Sequence, residues 1–242
     1  GGIGTLRAHS CAQIPQIGHM AICDIDSEKL DRLAETVRAD VVTKDYQEAI
    51  EDERVKAVIV STDEESHYGP AKLATELGKP VLIEKPFVLN LDEADDIIEI
   101  ANKNNTSVFV GYTQRFRKRY LLAKQSVEAG NLGDVIMALG KIYVTRAVGE
   151  AVARRSPNTT PSINTLTYMV DLILWYMEGK KPVEVYARSA SKVFEKYNRD
   201  DFQWLIVTFD DGSVATLGTS WLPPHHWPAY TATMEIDLQG TG

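Results

Sequence analysis

The chain has 242 residues, a net charge of −8, 44% hydrophobic and 25% charged residues, and two cysteines. That length covers one large domain or two small ones. An acidic surface argues against a general nucleic-acid or anionic-membrane binder, Cys11 and Cys23 cannot build a disulfide framework or a four-thiolate zinc site, and no apolar run nears the roughly 18 residues of a membrane span.

In chain order, the first stretch, GGIGTLRAHS, reads as a glycine-rich loop leading into helix-compatible residues rather than as a secretory signal, so a cytoplasmic location is expected. HMAICDID (19–26) reads as a strand with an acidic end. SEKLDRLAETVRA (27–39) reads as a helix with Ser27 as N-cap and Leu30, Leu33, Ala34 and Val37 at helical spacing. VKAVIVST (55–62) and KPVLIEKP (79–86) are nearly continuous apolar runs, the pattern of strands covered on both faces. HYGPAKLATELGK (67–79) is a helix ending at Gly78, LDEADDIIEIANKNN (91–105) another, and SVFVGY (107–112) a strand. Strands alternating with helices over short links predict a parallel sheet with helices on both faces.

The pattern then changes. RKRYLLAKQSVEAGNLG reads as a helix with a glycine stop, and VIMALGKIYVTRAV as a long strand. Residues 160–179 form a strong helix with Pro161 in the first turn and Gly179 past the end. Four strand-like runs follow, VEVYARSAS, FQWLIVTF, SVATLGTSW and YTATMEIDL, with Asp210-Asp211-Gly212 as a hairpin turn. The reading is an α/β chain: a Rossmann dinucleotide-binding domain over 1–115, and an α+β substrate and oligomerisation domain over 116–242 with a mainly antiparallel open sheet.

A Rossmann fingerprint places glycines in the first strand-to-helix turn, so that backbone N–H groups approach a pyrophosphate, and an acid about twenty residues on for the ribose hydroxyls. Gly1, Gly2, Ile3 and Gly4 fit the second half of that motif, with Asp24 and its neighbour Ile25 as the acid end of the next strand. The first glycine and the first strand are missing from the chain, so a parent chain extending beyond both termini is expected. A carboxylate accepts hydrogen bonds from a ribose diol and repels a 2′-phosphate, so Asp24 favours NAD(H) over NADP(H). As a helix cap, Asp24 is less well placed than Asp26 or Ser27.

HMAICDID, the Ser61-Thr62 pair followed by His67, GKPVLIEKP and VGYTQRF together resemble the Gfo/Idh/MocA oxidoreductases, a family that contains glucose–fructose oxidoreductase and inositol dehydrogenases. The resemblance covers essentially the whole chain. It implies an NAD-dependent dehydrogenase acting on a sugar, cyclitol or sugar acid. Lys85 of Glu84-Lys85-Pro86 corresponds to the catalytic lysine, Glu84, Ser61 and Thr62 to positions lining the cofactor pocket, and Arg115 to an arginine facing cofactor or substrate. Where relatives carry Thr-Pro, this chain has Thr62-Asp63. His67 corresponds to a histidine at the start of the following helix, where an entry hydrogen bond is the plainer role.

The family carries Asp-x-x-x-His followed three residues on by Asp. Aligned on Asp171, this chain has Asn164 and Tyr168 instead. Spacings of i, i+4 and i+7 put the three on one helix face, with Ile163, Leu166, Val170, Ile173, Leu174 and Met177 opposite. Asparagine cannot take a proton. Tyrosine can, and a nearby lysine and a positive nicotinamide would favour its phenolate. The expectation is therefore Tyr168 as acid/base, Lys85 as its electrostatic partner and Asn164 as a substrate-orienting group.

The arginines 146, 154 and 155, and 115, 117 and 119, read first as solvated surface. Arg155 is the candidate among them for an acidic substrate group. WLPPHHWP (221–228) reads as a rigid loop, and adjacent His225 and His226 lack metal-ligand spacing, so no metal is expected. The open sheet implies, by resemblance, a homodimer or homotetramer. Two alternatives remain: a glycosidase or epimerase using transient oxidation, and a non-catalytic dinucleotide-binding regulator.

Overall fold

The computed structural model describes residues 1–225 and 232–242. The chain divides into two compact units, Gly1–Gly111 and Tyr112–Gly242. The short helix Thr113–Phe116 thus belongs with the second unit, whereas the sequence reading put the division near residue 115.

The first unit runs α1 (Gly2–Ala12), β1 (Ala21–Cys23), α2 (Ser27–Ala34), β2 (Val41–Thr43), α3 (Tyr46–Glu51), β3 (Val58–Val60), α4 (Tyr68–Glu76), β4 (Val81–Ile83), α5 (Leu91–Lys103) and β5 (Val108–Val110). All its strand pairs are parallel, in two groups, β1–β2 and β3–β4–β5. Every strand is three residues long, and β1, β3, β4 and β5 are shorter than the runs that announced them. α2 is capped by Asp26, whose Oδ1 accepts from the Lys29 N–H at 3.2 Å, not by Ser27 as predicted. Gly78 follows α4 with φ +67°, the left-handed stop that its sequence position implies. β2 and α3 had no counterpart in the sequence reading.

Two small cores hold this unit. Val60, Val81 and Ile83 pack with Ala71 and Ala74 of α4 and Ile97 of α5, while Ile22 packs with Leu30 and Val37. α1 links the two groups of strands. Its Ala8 packs beside Ile22. A Cβ on Gly4 would lie 2.7 Å from Ser61 Oγ, and Arg7 reaches the end of β4.

The second unit contains α6 (Lys118–Glu128), β6 (Val135–Val144), α7 (Arg146–Arg155), α8 (Thr167–Tyr176), β7 (Pro182–Ala190), β8 (Phe202–Phe209), β9 (Val214–Ser220) and β10 (Ala232–Gly240). Its sheet has the order β10-β6-β9-β8-β7, antiparallel except for the β6–β9 pair. The long predicted strand stops at Val144, and Arg146, Ala147 and Val148 begin α7 instead. Residues 230 and 231 of the last predicted strand, and 226–228 of the aromatic-proline segment, lie outside the described residues.

Register separates the two faces of this sheet. The row Ala187–Leu205–Leu217–Gly140–Ile236 faces α8, whose Met169 and Ile173 close over Gly140. The row Arg188–Trp204–Gly218–Lys141–Glu235 lies on the opposite face. The main core is the α8 face: Leu166, Met169, Leu172, Ile173, Tyr176 and Met177 against Ala138, Ile142, Val207 and Ala215. Leu174, predicted on the buried side of α8, is 39% exposed.

Candidate active site

In the first unit the candidate residues gather at the carboxyl ends of the parallel strands, where open α/β sheets bind ligands. Asp24 follows β1, Ser61 follows β3, Glu84 follows β4 and Gly111 follows β5. Gly2, Ile3 and Gly4 form the first turn of α1 rather than a loop. The first helical bond closes from the Thr5 N–H to the Gly1 carbonyl at 2.9 Å. The N–H groups ahead of it have no acceptor within the helix, and together with the helix dipole they suit a phosphate.

Gly4 is glycine because Ser61 approaches it, which keeps the helix close to the strand end. The Gly1 nitrogen lies 3.5 Å from Asp24 Oδ2, so the glycine turn and the acid are neighbours. Asp24 Oδ1 accepts from the Asp26 N–H at 3.0 Å, which leaves Oδ2 turned toward the glycine turn. Ile25 beside it is 82% exposed. A glycine turn, an open helix start and a neighbouring carboxylate fit a dinucleotide.

Glu84 is buried, and its Oε1 accepts from Arg7 Nε at 2.8 Å and Nη2 at 2.6 Å. The sequence reading did not single out Arg7, which is 77 residues away along the chain. On the other side Glu84 Oε2 would meet a Cβ on Gly111 at 2.8 Å, so only glycine lets β5 end there. Lys85 is half-buried at the end of β4, in a cis Lys85–Pro86 peptide. His67 is 1% exposed, and its Nδ1 donates to the Pro86 carbonyl at 2.8 Å, which ties the start of α4 to the Lys85 turn. Its Nε2 is buried without a hydrogen-bond partner. Thr62 is exposed next to this turn.

Arg7→Ala is expected to cost about 1–3 kcal/mol of stability, because it leaves the Glu84 carboxylate buried alone. Adding Glu84→Gln to that chain should recover most of the loss, as urea unfolding of the two variants would reveal. An Arg7→Ala midpoint equal to that of the unaltered chain would mean that the pair contributes nothing.

In the second unit, Asn164 does not sit in a regular α-helix. Residues Ser162–Leu166 form one π-helical turn before α8. The wide turn buries Asn164, Thr165 and Leu166 together, so residues 164 and 168 are not separated by one continuous α-turn, as the spacing argument assumed. The π turn is held from outside by Gln203 Oε1, which accepts from the Ser162 N–H at 2.7 Å.

Tyr168 is partly buried, its ring edge-on to Tyr112 with centroids 6.3 Å apart. The Tyr112 hydroxyl is 2.5 Å from Thr167 Oγ1. Burial pushes the Tyr112 phenol up, outweighing that hydrogen bond, so Tyr112 is a poor candidate to ionise. Asp171 takes the Arg115 guanidinium in a bidentate pair, with Nε at 2.9 Å and Nη2 at 2.6 Å, and Arg115 also lies 5.2 Å from the Trp175 ring centroid.

The other arginines divide. Arg146 donates to the Leu222 carbonyl and Arg154 to the Tyr197 hydroxyl, while Arg155 is exposed at the end of α7. A cavity of about 620 Å³ lies on the outer sheet face, against Tyr143, Phe202, Trp204, Leu222 and Pro223, and touches none of the candidate residues. Among the described residues no group of histidine, cysteine and carboxylate could hold a metal. No helix among them is long and apolar enough to cross a membrane.

The family model described as "Oxidoreductase family, NAD-binding Rossmann fold" matches residues 1–112, and the "GFO/IDH/MocA C-terminal domain" matches residues 120–241. A myo-inositol 2-dehydrogenase of Thermotoga maritima is 32% identical over 91% of this chain and 66% of its own length. An uncharacterized oxidoreductase of Bacillus subtilis is 25% identical over 91% of this chain and 64% of its own. The chain thus spans just under two thirds of these relatives. Among solved structures, a probable dehydrogenase from Thermotoga maritima superposes with a TM-score of 0.88 at 24% identity, covering 100% of this chain and 71% of its own. A scyllo-inositol dehydrogenase from Lactobacillus casei with bound NAD(H) and scyllo-inositol does so with a TM-score of 0.85 at 19% identity, covering 100% of this chain and 71% of its own. At these identities the structural likeness speaks for the fold alone.

Proposed function

This chain belongs to the Gfo/Idh/MocA oxidoreductase family, and from that premise we propose that it transfers a hydride between NAD(H) and a secondary alcohol of a cyclitol, sugar or sugar acid. The observation that carries the reading is the gathering of the glycine turn, Asp24, Ser61 and the Glu84-Lys85 segment at one end of the parallel strands. The named activity of the Thermotoga relative, on myo-inositol, makes cyclitols the first substrates to try.

The cofactor, when bound, supplies the hydride acceptor. The N–H groups of Gly2, Ile3 and Gly4 receive the pyrophosphate, Asp24 accepts from the ribose diol, and exposed Ile25 offers the adenine an apolar surface. Ser61, Thr62, His67 and Glu84 shape the pocket beyond. Arg115, held by Asp171, adds positive charge at the start of the second unit. Lys85 stabilises the developing alkoxide, Tyr168 takes the hydroxyl proton, and Asn164 orients the substrate. Arg155 is the cation for a substrate carboxylate or phosphate.

NAD over NADP rests on Asp24, because its charge opposes a 2′-phosphate. In a competition titration NAD should bind at least about tenfold more tightly than NADP, and Asp24→Ser should narrow that gap. Tighter NADP binding by the unaltered chain would reverse the assignment. A homodimer or homotetramer through the outer sheet face is supported by Tyr186 and Ile206, cross-strand neighbours there at 53% and 44% exposed.

A screen of inositols, sugars and sugar acids for NADH formation tests the activity itself. Tyr168→Phe should lower kcat by roughly 10²-fold or more, the usual contribution of a positioned acid/base. Undiminished turnover would move that role to Lys85. Tight NAD binding with no turnover across the screen would instead favour the regulatory reading.

A further inference from the structure

The ion pair of Arg7 and Glu84 does more than tie α1 to β4. The sheet ladder fixes the backbone on either side of the carboxylate. The Glu84 N–H donates to the Val60 carbonyl at 2.9 Å, and the Gly111 N–H donates to the Ile83 carbonyl at 2.7 Å. The Glu84 side chain therefore stands at the carboxyl ends of β3, β4 and β5. Both bonds from Arg7 go to Oε1, while Oε2 lies on the Gly111 side. The Glu84 side chain is 9% exposed and that of Arg7 24%. Charges so little hydrated act strongly on any further charge that forms near them.

The reaction proposed above forms and removes such a charge. The residue after Glu84 is Lys85, assigned to the developing alkoxide. The oxidised nicotinamide ring is positive, and the arrival of a hydride makes it neutral. A lone carboxylate at this end of the sheet would hold the oxidised ring and oppose its reduction. A lone guanidinium would do the reverse. Paired, the two leave only a short dipole, whose field falls off faster than that of a net charge.

We propose that Arg7 is a positioning residue that counterbalances the Glu84 carboxylate, and that this balance sets the relative affinity of the site for NAD⁺ and NADH. The proposal rests on the reading of the strand ends as the place of NAD(H) and Lys85, and adds a role for a residue outside that reading. Arg7 lies one turn after Gly4 in α1. The first turn of the helix thus offers its N–H groups to the pyrophosphate, and the second supplies the counter-charge to Glu84.

Calorimetric titration of the whole chain, with NAD⁺ and NADH in turn and no second substrate, gives the ratio of their dissociation constants. The two nucleotides differ only by a hydride on the ring, so general damage to the fold weakens both and cancels in the ratio. Glu84→Gln leaves the Arg7 cation, which stays protonated at any working pH. The ratio of the NAD⁺ to the NADH dissociation constant should then rise by about fivefold, since water reaches part of that guanidinium. Arg7→Met leaves the carboxylate, and the ratio should fall by about tenfold at about pH 8.5, above the ordinary carboxyl range. The double variant, Arg7→Met with Glu84→Gln, should return to within about threefold of the unaltered chain.

Opposite shifts with recovery in the double variant are the signature of charge, which a merely structural link between α1 and β4 would not give. A ratio unmoved by either single change, moved in the same direction by both, or not recovered in the double variant would overturn the role of Arg7. An unaltered chain that binds neither nucleotide would instead overturn the dinucleotide reading, and this proposal with it.

Discussion

Replacing Lys85 with Met is expected to lower kcat by roughly 10²- to 10⁴-fold, the range for losing a group that stabilises or moves a proton in the transition state. The side chains are close in length, and Lys85 is half-buried at the end of β4, so the substitution removes a charge without emptying a core. Affinity for NAD should change by less than about tenfold, because one partly exposed charge contributes on the order of 1 kcal/mol. Arginine should not rescue the activity, since its planar guanidinium stays protonated and cannot take the place of a compact ammonium. Turnover within about fivefold of the unaltered chain would remove Lys85 from the chemistry. The support around Lys85 makes the prediction specific: Glu84 on one side is neutralised by Arg7, and Pro86 on the other is tied to His67. Neither of these contacts uses the lysine side chain, so both remain when it is replaced.

The second large effect is on the fold. Asp201 is 3% exposed, and its carboxylate accepts from the N–H groups of Lys192 at 2.9 Å, Val193 at 3.0 Å and Phe194 at 2.7 Å. Its own N–H donates to the Ala190 carbonyl at 2.8 Å, so it closes the connection between β7 and β8. Asp201→Ala strands three donors in the protein interior. At about 1–2 kcal/mol for each, the expected loss is roughly 3–6 kcal/mol, a large part of the ~5–15 kcal/mol that holds a typical domain. For a unit of this size that corresponds to a fall in Tm on the order of 10 °C. Asp201→Asn, with one acceptor oxygen kept, should lose about half as much. Calorimetry of the three chains decides the matter, and a Tm for Asp201→Ala within about 2 °C of the unaltered chain would refute it. The same change should disturb Trp221, whose backbone N–H the Asp201 carbonyl receives.

Much of the first unit was legible because covered strands leave a plain mark. VIV and VLI at 58–60 and 81–83 are apolar on both faces, and their acidic or polar ends point to the ligand side of the sheet. Asp24 and the glycines were legible for a similar reason, since their roles depend on local backbone and a fixed spacing. β2 and α3 escaped notice because a three-residue strand and a six-residue helix are too short for a period to register. α7 left little mark in the sequence because only Gly149 and Val152 of its ten residues are buried, too few to set an apolar period. The π turn was missed because periodicity reports which residues are apolar, not whether a carbonyl bonds four or five residues ahead.

By itself, the sequence determined the family, the alternation of strands and helices, and the chemical types available at each candidate position. Those follow from local propensity, covered strands and short motifs, all of which act over a few residues. Tertiary structure decided which groups meet. Arg7 neutralises Glu84 from 77 residues away, and Trp221 donates to Thr165 of the π turn from 56 residues beyond it. A buried carboxylate or indole N–H must find a partner wherever the fold supplies one. The spacing between such partners is set by the path of the chain and leaves no periodic trace.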